Sequence, residues 1–265
     1  DRSPSRGLGD VYKRQGLCWS SCTNEVDEFI GNVEPSTRSV STALNANLAS
    51  LFTGGAPTLT SAEIKEVNDA YAKMTSINCY RNIDEAVRNK TSYAGTIFLD
   101  DTYASAYFRK GSLAFPPYGI LASSMEHEFI HMYQRDVQGK KVDTDKEKRD
   151  TGMMEFELAF YQGIIRYIHA GYSWTFKGED GDPSYQSLWT SGLTDPSLIP
   201  QYEREFQTYV ASICANGKPT SIDINEFVKW SNIFGEYSRG YSGKGYKFGN
   251  YDYGTSCINS LLKLY

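Results

Sequence analysis

Apolar residues recur along most of this chain at the three-to-four-residue spacing of a helix buried on one side. Val40, Leu44, Leu48 and Leu51 form the first such stripe, and Gly54-Gly55 predicts its end. Thr60 with Glu63 three residues on predicts a capping box at the start of a second helix, whose stripe is Ile64, Val67, Tyr71 and Met74. A short helix is predicted from Ile83 to Val87. The period then changes: Thr96 to Leu99, Ala104 to Phe108 and Ser112 to Phe115 are short, β-prone and aromatic, and Lys110-Gly111 between the last two reads as a turn. A small antiparallel sheet is expected there. Pro116-Pro117 breaks the chain before a helix predicted from Ile120 to Arg135.

Asp136 to Thr151 is charged and aperiodic and reads as a solvated connector. Helical patterns follow at Met153 to Tyr167, Pro200 to Cys214 and Asn225 to Tyr237, the second with Phe206, Val210 and Ile213 inward and a stop at Asn216-Gly217. Ser238 to Ser256 is rich in Gly and Tyr and reads as a loop over a cleft, before a last turn from Ile258 to Leu264. These elements predict an α+β fold, with no internal repeat and no second-domain boundary within residues 36–265.

Composition narrows the partners. A chain of 265 residues with 40% hydrophobic content can bury a full core as one domain or as two closely packed lobes. Its net charge of −5 and lack of a basic stripe argue against nucleic acid. No apolar run approaches the ~18 residues of a membrane span. Twenty tyrosines suit either peptide or glycan contact or a fold with many phenol hydrogen bonds.

The start of the chain is read separately. Residues 1–15 (DRSPSRGLGDVYKRQ) have no apolar period and resemble a translated sequencing adapter, so they carry no weight in the fold. Residues 16–35 follow, with Gly16-Leu17-Cys18-Trp19-Ser20-Ser21-Cys22 and then a polar, acidic linker. They resemble the end of a signal peptide and the lipobox of a bacterial lipoprotein, which implies export and a lipid anchor on Cys22 as the only membrane attachment. A Cys18–Cys22 disulfide is the plainer alternative. Cys79, Cys214 and Cys257 would remain, enough for one disulfide and one thiol, with no pairing favoured.

The chemistry is concentrated in His127-Glu128-Phe129-Ile130-His131. On a helix, positions four apart share a face with Cβ atoms roughly 5–6 Å apart, so both imidazoles can meet one metal ion. Glu128 is offset from that face, out of ligand position but within reach of a water on the ion, as a general base requires. The plainer reading is an amphipathic helix that happens to carry two histidines. With only three histidines in the chain, the pair at this spacing beside Glu argues against it.

A small sheet followed by an H-E-x-x-H helix resembles the zincin metallopeptidases. That resemblance covers about residues 96–167 and implies a zinc ion, a peptide or protein substrate held along an edge strand, and hydrolysis with Glu128 as base. It also implies helices and sheet in an upper lobe, a mainly helical lower lobe, and a tyrosine stabilising the oxyanion. Three protein ligands are expected, with the fourth position open. The metzincin pattern is absent, since Val137 stands where its third His would be and Gln134 where its Gly would be. The gluzincin pattern takes a Glu from a following helix, which matches Glu155 or Glu157. Two residues apart, they face nearly opposite sides. Glu155 shares its face with Leu158, Ala159, Gln162 and Arg166, which suits a cleft, whereas Glu157 shares a core-like face with Phe160, Tyr161, Ile164 and Ile168. Face character favours Glu155, and Glu157 stays open.

His169 would lie roughly 21 Å beyond Glu155 on a continuous helix and is excluded from the site. Gly178 to Asp182 is acidic but lacks the spacing of an EF-hand loop. The expected activity is therefore that of a zinc metallopeptidase with ligands His127, His131 and Glu155. The alternatives are a non-catalytic binding lipoprotein on the same scaffold and a zinc hydrolase of a non-peptide amide.

Overall fold

The computed structural model describes residues 43–140, 148–169, 175–177, 183–185, 197, 199–238 and 241–265. The adapter-like segment, Cys18 and Cys22, Val40 and the acidic stretch Gly178–Asp182 lie outside them.

Three helices open the fold. α1 (Ala46–Leu51) starts only at Asn45, whose side chain caps it, so Leu44 packs from outside the helix. α2 (Ser61–Ser76) begins with the capping box read from Thr60 and Glu63, and it buries Val67, Tyr71 and Met74. α3 (Asn78–Lys90) extends well beyond the 83–87 stretch. Its buried face starts at Cys79 and Tyr80 and includes Asp84, which accepts from Tyr71 and from Arg88 and so is paired inside.

The sheet corrects the antiparallel expectation. β2 (Tyr107–Arg109) and β3 (Ser112–Phe115) form the expected hairpin, with Lys110 and Gly111 both at positive φ in its two-residue turn. β1 (Ile97–Leu99), however, pairs parallel to β3, in the order β1-β3-β2. The cause is burial. Leu113, Ala114 and Phe115 are almost wholly enclosed, so β3 takes the centre, and the hairpin fills one of its sides. β1 is left with the other side, and two chain reversals make it parallel. Ala104 to Ala106 stay outside β2, in the loop that performs the first reversal.

α4 (Ala122–Met132) carries the histidines and passes into a π-helical turn, Tyr133–Val137. α5 (Lys148–His169) starts before the end of the predicted connector and is the centre of the C-terminal core. Its Phe156 and Phe160 stack at 5.3 Å and meet Phe206 of α6 (Ile199–Ile213) and Phe227 of α7 (Ile224–Tyr237). Truncating such a ring typically costs about 3–5 kcal/mol. A hairpin of β4 (Thr175–Lys177) and β5 (Pro183–Tyr185), not anticipated from the sequence, precedes α6. α8 (Ser256–Leu262) closes the chain. The described residues are α+β and mostly helical, with a small three-stranded sheet and the β4–β5 pair. Cys79, Cys214 and Cys257 are buried free thiols, so the single disulfide that export would permit is not formed among them. No helix among the described residues is long and apolar enough to cross a membrane.

Candidate metal centre

α4 divides its faces by chemistry. Met125, Phe129, Ile130 and Met132 are fully buried in the core, with Phe129 against Tyr71 of α2. That anchoring turns His127 and His131 together toward a cleft of about 1060 Å³. Their Nε2 atoms lie 3.1 Å apart. From α5, Glu155 brings Oε1 to 3.3 Å from His131 Nε2 and Oε2 to 3.9 Å from His127 Nε2. Among the described residues these three form the one group of ligating side chains with donor atoms close enough to share an ion.

The donor set fits a metal. Bonds of about 2.0–2.1 Å to a tetrahedral ion set neighbouring ligand atoms about 3.3 Å apart, and the observed separations of 3.1, 3.3 and 3.9 Å bracket that value. All three donor residues line the cleft, so the cluster opens onto it.

Electrostatics agree with the geometry. Burial lowers the His127 imidazole to about 3, and the neighbouring charge of His131 adds to this, so His127 presents a neutral nitrogen. Burial also opposes charge on His131 and Glu155, yet their proximity wins: the imidazole is raised and the carboxyl lowered, each sustaining the other's charge. Glu128 is only 4% exposed and is pushed up to about 8 by burial, with a backbone hydrogen bond from Phe108 of the edge strand opposing the shift. Its Oε1 is 3.9 Å from His127 Nε2, beside the donor cluster without completing it.

Glu157 turns away from the site. It is fully buried and accepts from Gln134 Nε2 at 2.8 Å and from the Tyr253 hydroxyl at 2.9 Å. Gln162, expected to line the cleft beside Glu155, is instead only 4% exposed. His169 ends α5 as an exposed residue with its ring beside Tyr265, apart from the cluster.

Two contributors were not anticipated. The Tyr241 hydroxyl donates to Glu155 Oε2 at 2.9 Å, and Tyr241 and Tyr246 line the cleft from the segment after α7. Glycines seat that segment: a Cβ on Gly152 would meet the Lys247 carbonyl at 2.8 Å, and one on Gly235 would meet the Phe248 ring at 2.2 Å. The composition suggests a loop over a cleft but cannot select one tyrosine among twenty. Gln134 is the second contributor, and it had a local signal, since it stands three residues after His131 and so on the same side of the helix. No protein-family model, curated protein or solved structure matches the chain.

Proposed function

We propose that this protein is a zinc-dependent metallopeptidase of the zincin type, in the gluzincin arrangement with His127, His131 and Glu155 as ligands. The observation that carries the reading is the convergence of those three donors with a buried, non-ligating glutamate adjacent to them. A bound zinc ion supplies Lewis acidity for the scissile carbonyl and draws the pKa of its water toward ~7.

The chain's own residues do the rest. Glu128 takes the proton of the attacking water and returns it to the departing amine. Burial raises the proton affinity of this carboxyl above that of a free one, and a stronger base suits both transfers. His127 and His131 are held rigid by the core face of α4. Edge strand β2 contributes Tyr107 and Phe108 to the cleft and supports the binding of an extended peptide by strand addition. Tyr103 and Tyr118, 50% and 66% exposed, rim the cleft as apolar contacts for substrate side chains.

A structural metal site needs no base beside its ligands, and the retention of Glu128 favours catalysis over the binding-protein alternative. The test is Glu128→Gln. It should leave zinc content unchanged, measured by elemental analysis, while hydrolysis of a mixed peptide library falls by about 10²–10⁴-fold. Full activity in that variant at equal zinc content would remove Glu128 from the mechanism.

A further inference from the structure

Gln134 is wholly buried, and each of its polar atoms has a partner. Its Nε2 donates to the Met154 carbonyl at 3.0 Å and to Glu157 Oε2 at 2.8 Å, and its Oε1 lies 2.8 Å from His131 Nδ1. The amide has only one sensible orientation. A backbone carbonyl accepts and never donates, so the atom facing Met154 must be the nitrogen, and the oxygen must face the imidazole. An oxygen there can only accept. His131 Nδ1 therefore carries a hydrogen, and once the ring is neutral its Nε2, 3.1 Å from the Nε2 of His127, is the nitrogen left to offer a lone pair.

The far end of this chain of contacts is braced as firmly. Glu157 also accepts from Tyr253, and the Cys257 thiol at the start of α8 lies near enough to the same carboxylate to influence its charge. Tyr253 is fixed in turn by Lys140, whose ammonium donates to its carbonyl at 2.6 Å and lies 3.8 Å from its ring centre. The π-helical turn Tyr133–Val137 is where the path begins, as Gln134 is its second residue. A wider turn in the backbone at a functional site is a recurrent device.

We propose that Gln134, braced by Glu157 and Tyr253, is a positioning residue that holds His131 with its hydrogen on Nδ1 and so reserves Nε2 for the metal ion. Gln134 and Glu157 touch neither ion nor substrate; they act through His131. This assigns the second α5 glutamate a task of its own: it receives the amide hydrogen that keeps Gln134 from turning over. Partners of this kind typically change metal affinity by about 10–100-fold.

The proposal rests on the metal-centre reading, but its first readout needs no ion. Two-bond proton–nitrogen correlation spectra of the metal-free protein, at alkaline pH where His131 is neutral, report which ring nitrogen is protonated. The wild type should show Nδ1–H at His131, and Gln134→Met, which keeps the volume but removes the acceptor, should shift His131 toward Nε2–H. Zinc affinity, measured against a competing chelator, should fall about 10–100-fold in Gln134→Met and in Glu157→Leu. Glu157→Gln still offers an acceptor to the amide and should restore most of that loss. A wild-type His131 protonated on Nε2 overturns the proposal without any variant, as does an unchanged tautomer in Gln134→Met. If the wild type shows Nδ1–H yet takes up no zinc, the relay stands and the metal reading fails.

Discussion

Glu155 and Glu157 sit two residues apart on one helix, and their surroundings are opposite in kind. Glu155 meets two imidazoles and a phenol at the wall of an open cleft, and its carboxyl is lowered although burial opposes this. Glu157 is enclosed by an amide, a phenol and a thiol, and burial raises it. One pocket is built around charge, the other around hydrogen-bond direction. Residue type and burial therefore do not separate the two glutamates; the charge of their partners does. Cationic or metal-binding partners mark a carboxylate that can share an ion. Neutral donors mark one that holds other groups in place.

Substituting the two residues in turn is the sharpest test of that contrast and carries the largest expected effect. Glu155→Ala removes a donor atom, so zinc affinity should fall by several orders of magnitude, beyond the ~10–100-fold typical of a partner behind the ligands. Glu157→Ala should stay within that smaller range. Titration of both variants against a chelator decides the matter. The reverse ranking would make Glu157 the ligand, and no loss in either would place the third ligand elsewhere.

Tyr241 probes the charged pocket more gently. Its hydroxyl donates to Glu155 Oε2, and Tyr241→Phe removes that hydrogen bond while keeping the ring that packs on Phe234. Zinc affinity should fall about tenfold, the lower end of the range for such partners, with the fold intact by circular dichroism. A loss equal to that of Glu155→Ala would mean that the phenol governs the site more than the carboxylate does.

How much of this is legible in the sequence differs by the range of the interaction. The H-E-x-x-H spacing is local, and helix geometry alone brings His127 and His131 together. The capping box at Thr60 is local too, and it forms as read. Glu155 and Glu157 are separable only by face character, and that criterion places Gln162 in the cleft although it is in fact buried. The parallel β1–β3 pairing depends on which strand the core encloses, which no single strand's pattern records. The predicted 83–87 stretch falls short of α3 because the buried face begins a turn earlier, at Cys79 and Tyr80, among polar neighbours. Tyr241 reaches Glu155 across 86 positions of sequence, through a segment seated on glycines. Local pattern carries the motif; tertiary contact completes the site.

The same opposition recurs on α4, where Glu128 faces the cleft and Glu126, two residues before it, points to the other side. Glu126 is half-buried, and burial raises its carboxyl from 4.5 to about 7, against the pull of Arg166, a hydrogen bond from Tyr80 and the charge of Lys73. The sign follows from proton binding. Below pH 4.5 the group is protonated in both folded and unfolded chains and favours neither. Between 4.5 and about 7 the unfolded chain has released its proton while the folded one keeps it, so stability declines as pH rises; above 7 the penalty is constant. Glu126→Gln has no such proton to lose. Its stability relative to wild type should therefore improve across that window and then level off. The pKa difference alone implies roughly 3 kcal/mol. Partial exposure and the lost attraction to Arg166 reduce the expected gain to about 1 kcal/mol, smaller than the effect of any substitution at the metal centre. Urea unfolding of both proteins at several pH values reads it directly. A stability difference that stays constant from below pH 4.5 to above pH 7 would show that Glu126 ionises normally and that the pairing of cleft and core glutamates belongs to α5 alone.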